Sequence, residues 1–206
     1  MKKTFLLVVS CLLFLLLSSA AFGAQGPYAS GSLGIGFLRD SIVRETGFSG
    51  DAEFDSGAVL GLAVGYYIGN CRLEGEFGYQ KNDVDKIGAF GVGFNASGDI
   101  TSTSLLVNGY YDLLKYGALT PYVSLGLGLA SLELNDLTVP GATTGSAGDD
   151  DMVFAYQVGA GVGYALNPQM TIDFKYRYFA TQDPDFGGTK FEYGSHNFLL
   201  GLRYNF

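Results

Sequence analysis

The sequence predicts an all-β protein: an eight-stranded antiparallel up-and-down barrel that spans a membrane. Three observations carry this expectation. Eight separate segments alternate between apolar and small or polar residues with a period of two, the connections between them alternate long and short, and no charged residue falls on the apolar face of any segment. A strand sends successive side chains to opposite faces, so each segment has one greasy and one polar side. In water the greasy side would cover a core, as in a lipocalin-like soluble barrel. In a membrane barrel it meets hydrocarbon, and the polar side lines the lumen.

The first segment, from about Tyr28 to Leu38, turns Leu33, Ile35 and Phe37 outward and Ser30, Ser32, Gly34 and Gly36 inward. The second, about Ala58 to Tyr67, has Ala58, Leu60, Leu62, Val64 and Tyr66 outward, with Gly61, Ala63 and Gly65 behind them. The third, Cys71 to Gln80, places Leu73, Phe77 and Tyr79 outward and Arg72, Glu74 and Glu76 inward. In the fourth, about Ser102 to Leu113, Leu105, Val107 and Tyr111 face out while Ser104, Asn108 and Tyr110 face in. The fifth, Tyr122 to Leu132, alternates Val123, Leu125, Leu127 and Leu129 with Ser124, Gly126 and Gly128. The sixth, Val153 to Ala165, sets Phe154, Tyr156, Val158, Val162 and Tyr164 against Gln157, Gly159, Gly161 and Gly163. The seventh, Met170 to Ala180, has Ile172, Phe174, Tyr176 and Tyr178 outward and Asp173, Lys175 and Arg177 inward. The eighth closes the chain, His196 to Phe206, with Phe198, Leu200, Leu202, Tyr204 and Phe206 on the greasy face.

A charge on that face costs about 2–4 kcal/mol at the bilayer midplane, so its absence from all eight segments favours lipid over a soluble core. Arg39–Gly57, Lys81–Thr101 and Glu133–Met152 read as long loops and Thr181–Ser195 as a moderate one. Ile68–Asn70 and Leu166–Gln169 are short, and Leu114–Pro121 is longer than those two but shorter than any of the first set. Outer-membrane barrels have short periplasmic turns and longer outside loops, so both termini are expected in the periplasm. Tyr66, Tyr111, Tyr164 and Tyr204, with Phe206, then form one aromatic girdle. Phe37, Tyr79, Phe154, Tyr156 and Tyr178 form the other, in a chain without tryptophan.

Residues 1–24 read as a cleaved signal peptide: Lys2 and Lys3, an apolar run from Phe5 to Leu17, and a small-residue tail offering cleavage after Ala21, Gly23 or Ala24. Ala24 is the favoured site. A lipoprotein reading at Cys11 fits poorly, because the apolar run before it is too short. The barrel domain then covers 25–206. Cleavage removes two lysines and no acid, taking the formal charge from −8 to −10. A balance this acidic excludes nucleic acid as a partner. Cys71 is the one thiol left, so no intramolecular disulfide forms.

Eight strands enclose an interior just wide enough for side chains. Arg72, Glu74, Glu76, Asp173, Lys175, Arg177 and Arg203 all fall on the inward face, and charges withdrawn from water must pair. They are expected to form a network that plugs the lumen. Glycines on the first, second, fifth and sixth strands make room for the long side chains.

At this point the chain resembles the opacity-type, porin-family outer-membrane β-barrel proteins of Gram-negative bacteria. The resemblance rests on R-L-E-G-E-F-G-Y at 72–79, L-L-V-N-G-Y-Y-D at 105–112, P-Y-V-S-L-G-L-G at 121–128, F-A-Y-Q-V-G-A-G-V-G-Y at 154–164 and G-L-R-Y-N-F at 201–206. It implies an eight-stranded barrel in the outer membrane and a terminal Phe206 strand similar to the signal read by the barrel-assembly machinery. It carries over no catalytic residue and no cofactor.

Other candidate sites are weak. Lipid A-modifying barrels use a histidine with a serine, but Ser195 and His196, with Glu192 nearby, are adjacent on a strand and face opposite ways. Asp149, Asp150 and Asp151 are weak metal candidates that read equally as a solvated loop end. Asp40, Glu45, Asp51, Glu53 and Asp55 make the first loop acidic too. Beside anionic lipopolysaccharide such loops need divalent cations as bridges. The glycines at 159–163 lack the spacing of a phosphate loop. The expected function is a plugged barrel displaying four extracellular loops for envelope structure or surface interaction, with no enzymatic activity. The alternative is a narrow channel for water, ions or small solutes.

Overall fold

A computed structural model describes residues 26–39, 41–45, 48–54, 56–89, 92–114, 116–138, 151–182, 185–186, 189–190 and 193–206. The signal segment 1–24 lies outside the described residues. Twelve strands run in chain order: β1 (Pro27–Leu38), β2 (Ser41–Glu45), β3 (Phe48–Phe54), β4 (Gly57–Ile68), β5 (Cys71–Ala89), β6 (Val92–Asp112), β7 (Leu119–Thr138), β8 (Asp151–Ala165), β9 (Met170–Thr181), β10 (Asp185–Phe186), β11 (Thr189–Lys190) and β12 (Gly194–Asn205). Eight of them close a cylinder. β1 pairs with β4, then β5, β6, β7, β8, β9 and β12 follow in turn, and β12 returns to β1, every pairing antiparallel. Closure leaves no strand edge unpaired at membrane depth, which hydrocarbon would not tolerate.

Turn chemistry sets the ends. Ile68 pairs with Cys71 across a two-residue turn, and Gly69 takes φ 65°, the left-handed conformation that a primed hairpin turn requires. Between β8 and β9, the Asn167 side-chain carbonyl accepts from the backbone N–H groups of Gln169 and Met170, at 2.9 and 2.8 Å. That local bond replaces a ladder the chain has left. The first and last described residues meet on this same rim, where Phe206 N–H donates to the Pro27 carbonyl at 3.2 Å.

The eight alternating segments lie within barrel strands except for Leu113 and Phe206, each one residue past a strand end, and towards the other rim the strands outrun the segments. The predicted loop Lys81–Thr101 is largely a continuation of the β5–β6 hairpin, which pairs as far as Ala89 with Val92 and slips register between Val84 and Lys86. The predicted loop Arg39–Gly57 contains the β2–β3 hairpin, and β3 pairs onto β5. β7 runs on to Thr138, and Thr181–Ser195 contains β10 and β11. The physical reason is that apolar alternation reports contact with hydrocarbon. Beyond the bilayer, water wets both faces, so the pattern stops while the hydrogen-bonded ladder goes on. Asp149 and Asp150 lie outside the described residues; Asp151 begins β8, opposite Leu132.

Candidate functional site in the barrel lumen

Parity decides which residues enter the lumen. Leu33, Leu60, Leu73, Val107, Leu125, Leu127, Phe174, Phe198 and Leu200 stand exposed on the outer wall, while Arg72, Glu74, Glu76, Asp173, Arg177 and Arg203 are buried inside. Lys175 is half-buried among them. The aromatic residues Phe37, Tyr79, Tyr111, Phe154, Tyr156, Tyr164, Tyr204 and Phe206 are exposed on the outer wall, and Tyr66 and Tyr178 are half-buried.

The structure groups the inward charges in two clusters. Near the end that carries the termini, Arg72 Nε and Nη2 both reach Asp112 Oδ1, at 3.0 and 2.8 Å. The same guanidinium lies over the rings of Tyr110 and Tyr122, 4.4 and 4.6 Å from their centroids. Arg203 pairs with Asp173 at 3.1 Å and sits near Tyr28 and Tyr67. Glu74 accepts hydrogen bonds from the Tyr28 and Tyr110 hydroxyls, at 2.9 and 2.8 Å. Halfway along, Glu76 takes a bond from Arg177 and one from Asn108 at 3.0 Å, and Lys175 stands 3.9 Å away. Lys175 also donates to the Tyr110 hydroxyl at 3.2 Å, which joins the clusters. Gln157 donates to Asn108 at 2.7 Å and extends the second cluster across to β8.

Sequence reasoning missed several of these residues. Asp112 balances the inward set at four cations and four anions among the described residues; it shares parity with Tyr110 and Asn108, so alternation alone would have found it. Tyr28, Tyr67 and Tyr122 share the inward parity too. Small residues accommodate them: a side chain at Gly65 would collide with the Tyr28 ring, and one at Gly161 with the Tyr122 hydroxyl and the Phe174 carbonyl. Gly161→Val is therefore expected to lower stability by about 1–3 kcal/mol, read as a lower urea midpoint in detergent micelles.

Towards the other end the lumen turns apolar. Leu106, Ala130, Leu132, Val153, Ala155, Phe179 and Tyr193 form a buried cluster, with Leu38 and Ile100 packed against it. Its members come from β1, β6, β7, β8, β9 and the residue before β12, so it crosses the interior. Phe179 and Tyr193 meet edge to face, 6.1 Å between centroids. No charge pattern announces such a cluster, and a polar-in rule hides it. Opposite lies an amide row: Ser195 donates to Gln80 at 3.3 Å, Gln80 to Asn82 at 2.8 Å, and Asn82 to the Gly36 carbonyl at 3.1 Å. Between the charged clusters a cavity of about 20 Å³, lined by Ser30, Gly61, Glu74, Asp173 and Arg203 among others, has room for about one water.

Ser195 and His196 stand on opposite sides of the wall. Ser195 is fully buried against Gln80, whereas His196 Nδ1 is hydrogen-bonded to the Tyr176 hydroxyl at 2.8 Å on the outside. Among the described residues no group of His, Cys, Asp or Glu is arranged to hold a metal ion.

Comparison with known proteins agrees with this architecture. The family model for "Outer membrane protein beta-barrel domain" matches residues 9–206. Outer membrane protein PagN of Salmonella typhimurium is 29% identical over 241 aligned positions, covering 99% of this chain and 100% of that one. Among solved structures, Neisserial surface protein A is similar with a TM-score of 0.60 at 20% identity, covering 87% of this chain and 97% of its own. OprG of Pseudomonas aeruginosa gives a TM-score of 0.52 at 17% identity, covering 87% and 95%. These two likenesses concern the fold. With a closed eight-stranded barrel, a lipid-facing outer wall and a family match over nearly its whole length, the chain belongs to the outer membrane protein β-barrel domain family and is integral to the outer membrane.

Proposed function

We propose that this protein is a closed barrel that holds four extracellular loops on a rigid wall, for envelope structure or recognition at the surface, and provides no path for solutes. The observation that carries the reading is that the lumen is occupied at two levels by side chains of different kinds. Paired charges and tyrosines occupy the half nearer the termini, and an apolar cluster with an amide row opposite it occupies the half nearer the loops. An ion crossing the first would displace buried pairs; crossing the second, it would shed its water against hydrocarbon side chains.

In this reading the termini and short turns face the periplasm, and the long hairpins face outward. The acidic loops meet lipopolysaccharide through bridging divalent cations, and the Phe206 strand is the segment engaged by the barrel-assembly machinery. Catalysis is no part of it: a serine inside the wall and a histidine outside it have no common substrate.

Planar-bilayer recording of the purified full-length protein tests closure. The wild type is expected to add no steady current above the bare membrane. Arg72→Ala and Arg177→Ala are expected to stay closed as well, because the apolar level remains. Stable openings in the wild type, altered by either substitution, would overturn closure and favour the narrow channel.

A further inference from the structure

The outer wall carries an apolar ring beyond its tyrosines. Tyr66, Tyr111, Tyr164 and Tyr204 point outward near the terminus end. Two residues further along the chain stand Ile68, the last residue of β4, and Leu113, Leu166 and Phe206, each one residue past the end of its strand with its backbone N–H still bonded to the neighbouring strand. They are 61%, 45%, 50% and 75% exposed. The β6–β7 connection adds Leu114 and Tyr116, 74% and 66% exposed, and the first residue of β7 adds Leu119. Tyr116 pairs with Leu119, and Leu119 with Tyr164, so all three look outward from one face. At about 4.8 Å per strand spacing, Tyr116 lies about 10 Å from Tyr164. A turn bathed in water has no use for this surface. The neighbouring turns are built differently, from Gly69-Asn70 and Asn167-Pro168-Gln169.

Depth identifies what covers the ring. Ten residues separate Phe154 from Tyr164. At about 3.4 Å per residue and a tilt of about 40°, they span about 26 Å, close to the roughly 25 Å apolar band of such barrels. Leu166 lies about 5 Å further, and the headgroup layer outside the hydrocarbon is about 5–8 Å thick on each side. We infer that Ile68, Leu113, Leu114, Tyr116, Leu119, Leu166 and Phe206 form a collar seated in the phospholipid headgroup boundary of the leaflet on the terminus side. The β6–β7 turn lies in the membrane interface, as a continuation of the lipid-facing wall. Tyr116, with an apolar ring and a polar tip, is the side chain suited to that layer. The inference concerns the family-defined wall and does not depend on whether the lumen is closed.

The chain has no tryptophan, so a single introduced indole reports unambiguously. Leu114→Trp, Tyr116→Trp and Ile68→Trp are made in the full-length protein and refolded into phosphatidylcholine vesicles. Folded material is recognised by heat-modifiable migration on gels, and Leu127→Trp serves as a mid-wall reference. The collar variants are expected to show blue-shifted emission, strong quenching by lipid brominated near the headgroup and weak quenching by acrylamide. The reference is quenched by lipid brominated deep in the chains. Collar variants that emit as indole does in water, open to acrylamide and indifferent to brominated lipid, would overturn the proposal and leave the ring free for a protein partner. Three positions on two turns keep the result decisive if one variant does not fold.

Discussion

Replacing Glu76 with leucine is expected to lower the unfolding free energy of the detergent-embedded barrel by about 3–5 kcal/mol, the cost of leaving a buried partner charge uncompensated. Glu76 is 2% exposed, accepts from Arg177 and Asn108, and lies within ion-pair reach of Lys175. Leucine keeps the bulk and removes the only carboxylate touching Arg177 among the bonds described. Urea titration gives the loss as an earlier midpoint. The double variant Glu76→Leu, Arg177→Met should recover much of it, because exchanging both members of a buried pair for apolar groups is close to neutral. The magnitude decides between two pictures of the lumen. A wet, channel-like interior would screen the pair, and the single variant would then cost about 0–1 kcal/mol, as at a protein surface.

The second large effect lies on the other side of the same wall. Leu200 is 47% exposed, pairs with Leu33 and Phe174, and stands four residues from both Tyr204 and His196. Leu200→Arg is expected to cost about 2–4 kcal/mol in phosphatidylcholine vesicles, whereas Leu119→Arg, at the rim, should cost about 0–1 kcal/mol. The difference between the two is a depth measurement, since only the first forces a guanidinium into the middle of the hydrocarbon. Equal costs at both positions would show that the outer wall is not immersed as described.

Much of this molecule was legible because one physical demand, contact with hydrocarbon, repeats on eight strands. Leu125, Leu127 and Leu129 on β7, or Phe198, Leu200 and Leu202 on β12, could be assigned to the outer face from alternation alone. The same parity put Arg72 and Glu76 inside, though it could not say which charges touch. Arg72 meets Asp112, forty positions away, and Arg177 meets Glu76, one hundred and one positions away, because strand stagger brings those levels together. Two features resisted reading for opposite reasons. Phe179, Leu106 and Leu132 are apolar side chains on the inward parity, and a rule that expects polar residues there passes over them. The pairing of Asp83 with Asp99 lies past the bilayer, where the ladder carries no hydropathy signal at all.

Among the described residues the inward charges cancel, four against four, and they nearly cancel within each cluster. A voltage across the membrane does work only on charge that it can displace, about 2.3 kcal/mol per elementary charge per 100 mV. A cylinder whose axis holds matched ions, each bonded to neighbouring side chains, offers almost nothing to pull on. The described inward charges contribute nothing to the net acidity of the sequence, −8 in full and −10 without the expected signal segment, so a change in the electrical state of the envelope would find little charge to move inside the wall.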